Sequence, residues 1–414
     1  MYSSLLRNQN FLKIWIAQLT SQLAANLLNF ALIIRVYELA AQTPYANIAV
    51  SLLILAFGVP SVVFAVLAGA YVDHWDRKKV LIVTNVVRAI LVLGFLFVES
   101  NLLLVYLLVF AISVFSQFFT PAEGAALPRL VKKSQFLSAN SLFLFTLYSS
   151  FVLGYSLAGP IVALWGPNAV YYVTSGAFAV AAILCIGLPS LRAETSAKPI
   201  KEINKEVFST IRTSFHEIIT DPGLIFPIIN LTIAQAMLGV LAVLAPAIAL
   251  LVFGESLAQV SFMLIIPAAL GMVIGAVIVG KYLKLTKKTT VINVGIAMAS
   301  IMLVSLSFVP ALRDLRFFGL IVASISLVLG IANGLVSVSA QTLLQLNSTD
   351  EARGKIFGTL NMMMNVAAIL PVLLAGITAD LVSPLKVLTG AGILIGLYGV
   401  FQFKTFAKLQ LKST

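Results

Sequence analysis

"GAYVDHWDRKKVL" (Gly69–Leu81) gathers Asp73, Asp76, Arg77, Lys78 and Lys79 into one short turn, with apolar chain on either side. Upstream, residues 46–72 carry no formal charge; downstream, residues 80–98 carry only Arg88. Each flank is long enough to cross a hydrocarbon core about 30 Å thick. The turn is therefore a loop between two membrane spans. The rest of the chain extends this reading: 60% of the 414 residues are hydrophobic and 10% charged, with a mean hydropathy of +1.04. A water-soluble domain cannot cover its surface from so small a charged fraction. Backbone groups inside lipid must be satisfied within the segment, so the spans are expected to be helices.

The pattern predicts an all-α membrane protein of twelve spans, over residues 11–37, 46–72, 80–98, 102–124, 140–164, 168–188, 222–252, 257–283, 289–309, 316–341, 357–381 and 385–406. Sorted by side of the membrane, 22 of the 27 Lys and Arg fall on the side that also holds both termini. By the positive-inside rule that side is cytoplasmic, in the cell (inner) membrane. The same segregation accounts for the net charge of +12 without a nucleic-acid partner. The first apolar run is full length and shows no small-residue cleavage pattern, so no cleavable signal is expected. A single cysteine and two histidines exclude a disulfide framework and argue against a metal centre. They also leave too few catalytic groups for a membrane enzyme, and without a phosphate-binding loop an ATP-driven pump is not expected. No cofactor is expected.

Three domains are expected: residues 1–190 and 222–414 as six-helix bundles, and 191–221 as a cytoplasmic linker. In the linker Ile203, Val207, Ile211, Phe215 and Ile218 share one helical face. That spacing fits a helix lying on the membrane surface; a partly ordered connector is the alternative. The bundles look like copies. "LAGPIVALWGP" (Leu157–Pro167) and "LAGITADLVSP" (Leu374–Pro384) align at an offset of 217. "LVKKSQFLSAN" from Leu130 and "LNSTDEARGKI" from Leu346 align at 216, and "GKYLKLTKK" from Gly280 faintly echoes the opening stretch. Duplication of this kind predicts pseudo-symmetric halves with a transport site where the repeats meet.

These stretches resemble the major facilitator superfamily. Gly69, Asp73, Arg77 and Lys78 match its loop signature between helices 2 and 3, whereas His74 stands for the usual base and Asp76 for the usual glycine. "GYSLAGP" (Gly154–Pro160) is similar to the helix 5 signature of exporters that exchange substrate for protons. "FFTPAEGAALPRLVKKSQFLSANSL" and "QTLLQLNSTDEARGKIFG" resemble loops of the multidrug, macrolide and siderophore exporter branch. The resemblance implies a secondary transporter of the major facilitator fold that exports amphipathic small molecules, with protons as counter-substrate, acting as a monomer among membrane lipids. A lysophospholipid or metabolite transporter or uniporter of the same fold is the alternative.

On that resemblance, Gly69, Asp73, Arg77 and Glu123 form a gating latch. Gly69 would let helix 2 approach a neighbour, Asp73 would meet the positive end of helix 11, and Arg77 would pair with Glu123. Lys78 and Lys79 either meet lipid headgroups or only set topology. In helix 5, Gly154 and Gly159 permit close packing and Pro160 bends the helix.

Amides recur at helical spacing: Gln18, Gln22, Asn26 and Asn29 in the first span, Asn333, Ser337 and Gln341 in the tenth, Asn361 and Asn365 in the eleventh. Gln117 in the fourth and Asn230 and Gln235 in the seventh extend the set. Such groups are costly against lipid and find partners in a wet cavity; gluing helices together is the other reading. Neutral amides beside Phe118, Phe119 and Met362–Met364 suit a bulky amphipathic substrate. Proton coupling points to a membrane carboxylate, with Asp380, Glu123 and Glu38 as candidates. Arg88 shows no partner in the sequence and is expected to snorkel toward the interface.

Overall fold

The computed structural model describes residues 5–98, 101–192, 221–253, 261–283, 286–347 and 353–410, with scattered positions between 202 and 220. Every long element among them is a helix. In chain order these are α1 (Gln9–Ala40), α2 (Ala46–Val72), α3 (Arg77–Leu93), α4 (Leu102–Leu130), α5 (Phe136–Trp165) and α6 (Pro167–Ile186). They continue with α7 (Pro222–Phe253), α8 (Ile266–Val277), α9 (Lys288–Ser307), α10 (Phe318–Asn347), α11 (Arg353–Leu381) and α12 (Pro384–Gln410). A π-helical turn flanks α8 on each side, at Ser261–Ile265 and Ile278–Tyr282. Among the described residues, twelve helices are long and apolar enough to cross a membrane. Of the expected linker helix, Ile203, Val207, Ile211 and Ile218 lie outside the described residues, and Phe215 is exposed.

Helix ends are set by local chemistry. Asn8 accepts from the amides of Asn10 and Phe11 at the start of α1, and its Nδ2 donates to the Leu130 carbonyl that ends α4 (2.8 Å). Asn101 caps α4 through Leu104 N, and Asp221 accepts from Gly223 N at the start of α7. Asp76, where the family signature has glycine, is the cap of α3, accepting from Lys78 N at 3.1 Å. Each cap satisfies one of the amides that a helix start leaves without an internal partner.

α3 shows how these helices are polarised. Its buried residues, Arg77, Val80, Leu81, Thr84, Asn85, Arg88, Ala89 and Val92, recur at three- and four-residue spacing. Val83, Val86 and Ile90 on the other face are exposed. Polar groups turn inward and aliphatic ones outward, the order expected where lipid rather than water is the solvent.

The chain separates into two compact units: residues 1–39, 52–214 and 361–366 form one, and 40–51, 215–360 and 367–414 the other. In the first, α3 packs on α4 and α6; in the second, α9 packs on α10 and α12. The same neighbour relation thus recurs six helices later. The first unit's core contains Phe11, Ile14, Val72, Leu81, Phe119, Leu127, Phe143 and Cys185. In the second, α8 and α10 meet through glycines: a Cβ on Gly271 would collide with the Leu327 carbonyl and one on Gly330 with the Ala268 carbonyl. Gly275 and Gly334 extend the contact one turn further. Glycines four apart on both helices let two backbones touch, where dispersion replaces the hydrophobic drive that lipid does not supply.

Candidate functional site

The signature loop lies between α2 and α3. Asp73 is exposed and its amide donates to Gly69 O at 3.1 Å, closing the last turn of α2. A Cβ at Gly69 would meet nothing within 4 Å. The close helix approach expected there is therefore not formed among the described residues. Arg77 is buried at 7% exposure, its amide donates to Leu191 O, and its Nε and Nη1 have no hydrogen-bond partner among the described residues. Glu123 is 4% exposed, and its Oε1 also lacks a partner. The expected Arg77–Glu123 pairing is not formed among the described residues; instead the Arg88 guanidinium lies over the Phe119 ring, one turn before Glu123 on α4. The side chains of residues 348–361, and with them the start of α11 that Asp73 was expected to face, lie outside the described residues.

Arg88 does not snorkel. It is 2% exposed and held by three helices. Its Nε donates to Thr84 O (3.1 Å), and its Nη2 to Asn85 Oδ1 (2.8 Å) and to Ser21 Oγ of α1 (3.0 Å). Its Nη1 reaches Ser116 Oγ of α4 at 3.5 Å. The guanidinium carbon sits 4.7 Å from the Phe119 ring centre and 4.5 Å from that of Phe178, within cation–π range of both. A planar cation with five donors suits such a slot. The signal in the sequence was Thr84, Asn85 and Arg88 sharing one face of an otherwise apolar helix.

The amide stripes divide. Gln18 is buried and donates to the Phe143 carbonyl of α5 (3.3 Å), and Trp15 Nε1 joins the same helix at Thr146 Oγ1 (2.8 Å). Gly154 of α5 lies directly on α1, where a Cβ would come within 2.6 Å of Asn26 Cβ. Its part in the exporter signature is thus to seat α5 on α1. Gly159 is buried, and α5 runs unbroken through Pro160. Asn230 is fully buried and donates to Phe226 O within α7. Asn333 is 2% exposed, donates to Ala234 O of α7 and accepts from Ser337 Oγ. Gln18, Asn230 and Asn333 therefore make bonds between helices or to their own backbone, the other reading open to these amides, while Gln18 Oε1 and Asn230 Oδ1 have no partner among the described residues. Gln22, Asn26, Asn29, Gln117 and Ser337 are half-buried, and Gln235 and Gln341 are exposed. Asn365 is half-buried, with Nδ2 donating to Ser61 Oγ of α2 at 3.1 Å. Asn361 falls among the side chains outside the description.

The remaining carboxylates differ sharply. Glu38 is exposed near the end of α1 and pairs with Arg35 one turn before it, at 3.9 Å. Asp380, near the end of α11, takes three hydrogen bonds from the first turn of α2: Asn47 N (3.0 Å), Asn47 Nδ2 (2.7 Å) and Ile48 N (2.9 Å). No cluster of metal-ligating side chains occurs among the described residues.

Comparison with known proteins agrees with this architecture. The family profile described as Major Facilitator Superfamily matches residues 14–372. Among curated relatives, the MFS-type transporter YfiS of Bacillus subtilis is 25% identical over 92% of this chain and 89% of its own length. Macrolide efflux protein A of Streptococcus pyogenes is 23% identical, over 89% of each chain. The multidrug efflux pump Tap of Mycolicibacterium fortuitum is 25% identical over 80% of each. Among solved structures, a bacterial homologue of the human lysosomal transporter Spinster, captured inward-facing and unoccupied, superposes with a TM-score of 0.75 at 11% identity, covering 97% of this chain and 98% of that one. The nucleoside transporter NupG gives 0.72 at 13% identity, over 95% and 99%.

Proposed function

Since the chain belongs to the Major Facilitator Superfamily and is a multi-pass secondary transporter rather than an enzyme, we propose that it exports amphipathic small molecules by alternating access, in exchange for protons. The observation that carries this reading is similarity over 89% of the chain to a macrolide efflux protein and, over four-fifths of the chain, to a multidrug pump. Both termini face the cytoplasm in this reading, which the crowding of Lys and Arg on their side supports. The protein works as a monomer in the cell membrane, with residues 1–190 and 222–414 as its halves and 191–221 between them.

With Gln18, Asn230 and Asn333 engaged in helix packing, substrate contacts fall to Gln22, Asn26, Asn29, Gln117, Gln235, Ser337 and Gln341. Neutral amides bind by hydrogen bonding without demanding a charge, which suits a large ligand whose affinity comes mainly from apolar area. Asp73 serves as the inner latch, and Glu123, beside the fixed cation Arg88, is the acid best surrounded for proton exchange. A membrane-buried carboxylate with an unbonded oxygen has a use for a proton.

The test is efflux of a macrolide and a cationic dye from proteoliposomes, with and without an imposed pH gradient. Export that rises with the gradient is expected, together with normal insertion but sharply reduced export in Asp73→Asn. Gradient-independent flux would refute antiport, and unchanged export in Asp73→Asn would refute the latch.

A further inference from the structure

α2 begins without a cap of its own. Tyr45 occupies the capping position, since its carbonyl accepts from Ala49 N (2.9 Å), but a phenol cannot reach back to the first amides as Ser, Asp or Asn would. Among the amides left open are those of the second and third helical residues, Asn47 and Ile48, the ones an N-cap side chain serves. These are the two that Asp380 accepts, one with each oxygen, while Oδ1 also takes the Asn47 side chain. Asn47 is only 5% exposed, so its amide has little water to turn to. The carboxylate also meets the positive end of the helix dipole.

Two further contacts bring α11 close enough for this. Gly376, one turn before Asp380, lies against the Asn47 carbonyl and Ser51, where any Cβ would collide. One more turn back, the Val372 carbonyl accepts from Ser51 Oγ (3.1 Å). Residues 372, 376 and 380 thus form one stripe of α11 facing 47, 48 and 51. The compact unit that contains residues 367–414 also contains 40–51, whereas α2 from residue 52 onward belongs to the other unit. In the repeat that relates "LAGITADLVSP" to "LAGPIVALWGP", Ala163 stands at the position of Asp380. The acid is therefore peculiar to the second copy.

We propose that Asp380 is a positioning residue for transport: an N-cap supplied to α2 by α11, which latches the end of α2 remote from the termini and must release when that end opens. A cap supplied from another helix can yield reversibly, whereas the helix itself cannot without breaking its ladder. The inference rests on alternating access but not on any particular substrate or coupling ion.

The experiment uses the full chain in lipid nanodiscs, with spin labels on cysteines introduced at Gln42 and Lys386, both exposed, in a Cys185→Ala background. Asp380→Ala should raise the ratio of long to short label separations roughly tenfold, the scale of losing one helix cap, and Asp380→Asn, which keeps one accepting oxygen but offers an NH2 in place of the other, should raise it in the same direction by less. Asn47→Ala keeps both backbone amides and should move the ratio far less. An unchanged ratio in the Asp380 variants, with or without a fall in melting temperature, overturns the latch. So does an Asn47→Ala effect as large as that of Asp380→Ala. If Asp380→Ala fails to fold, the isosteric Asp380→Asn gives the decisive reading. Because the labels report without substrate, shifted distances with no drug export would refute the efflux reading and leave the latch intact.

Discussion

Replacing Arg88 by methionine removes the most heavily bonded cation described in the first unit. The guanidinium makes hydrogen bonds at 2.8, 3.0 and 3.1 Å to Asn85, Ser21 and Thr84, and lies between Phe119 and Phe178. Methionine is of similar length and fills the slot between the rings, so the cost is mainly electrostatic. It also removes the cation that lies over Phe119, one turn before Glu123, which is 4% exposed and whose Oε1 has no partner among the described residues. Breaking a buried ion pair costs about 3–5 kcal/mol, which is the upper bound for taking this cation away from a buried carboxylate. At roughly 2 °C per kcal/mol for a chain of this size, the melting temperature should fall by up to about 10 °C. The second arm is Arg88→Met with Glu123→Gln, which removes both charges together. Replacing a buried pair by neutral groups is often close to neutral, so the double variant should recover at least half the loss. The assay is thermal unfolding of purified protein in a single detergent, completing a double-mutant cycle. An Arg88→Met variant as stable as the parent, or a double variant no better than the single, would refute electrostatic coupling of Arg88 to Glu123.

Two further outcomes follow from packing and capping. Gly330→Val drives a branched side chain into the Ala268 carbonyl and should abolish recovery of monodisperse protein, whereas Gly124→Ala, where a Cβ meets nothing within 4 Å, should leave recovery unchanged; size-exclusion profiles decide. Asp76→Ala removes the cap that receives Lys78 N and should cost about 1 kcal/mol of stability, while Asp76→Asn, which keeps an accepting oxygen, should cost only a fraction of that; melting curves of the two variants separate them.

What could be read from the chain alone was set by short-range physics. The predicted spans fall on the observed helices: residues 46–72 coincide with α2, and the predicted 168–188 differs by a residue or two from α6, which runs from 167 to 186. Hydropathy is a sum over neighbours, and a window of about twenty apolar residues has few alternatives once lipid forbids unpaired backbone. The recurrence of a neighbour relation six helices on had a counterpart in the chain, in stretches that align at offsets of 216 and 217. Helix caps such as Asn101 and Asp76 were within reach of the sequence too, since they act over two or three residues.

The partners of polar side chains were decided only when the helices assembled. Gln18 and Gln22 are one turn apart on the same stripe of α1, yet Gln18 is fastened to Phe143 while Gln22 stays half-buried. Periodicity gives the direction of a side chain about its own helix axis but not which neighbour stands there or how near. Arg88 looked like a stray charge until Ser21 and Ser116 came from other helices to meet it. Asp380 meets amides 332 and 333 residues away along the chain. The energy of such contacts depends on distances of a few ångströms between segments far apart in sequence. No local pattern encodes those distances, so the spans belong to the sequence and the charged contacts belong to the tertiary structure.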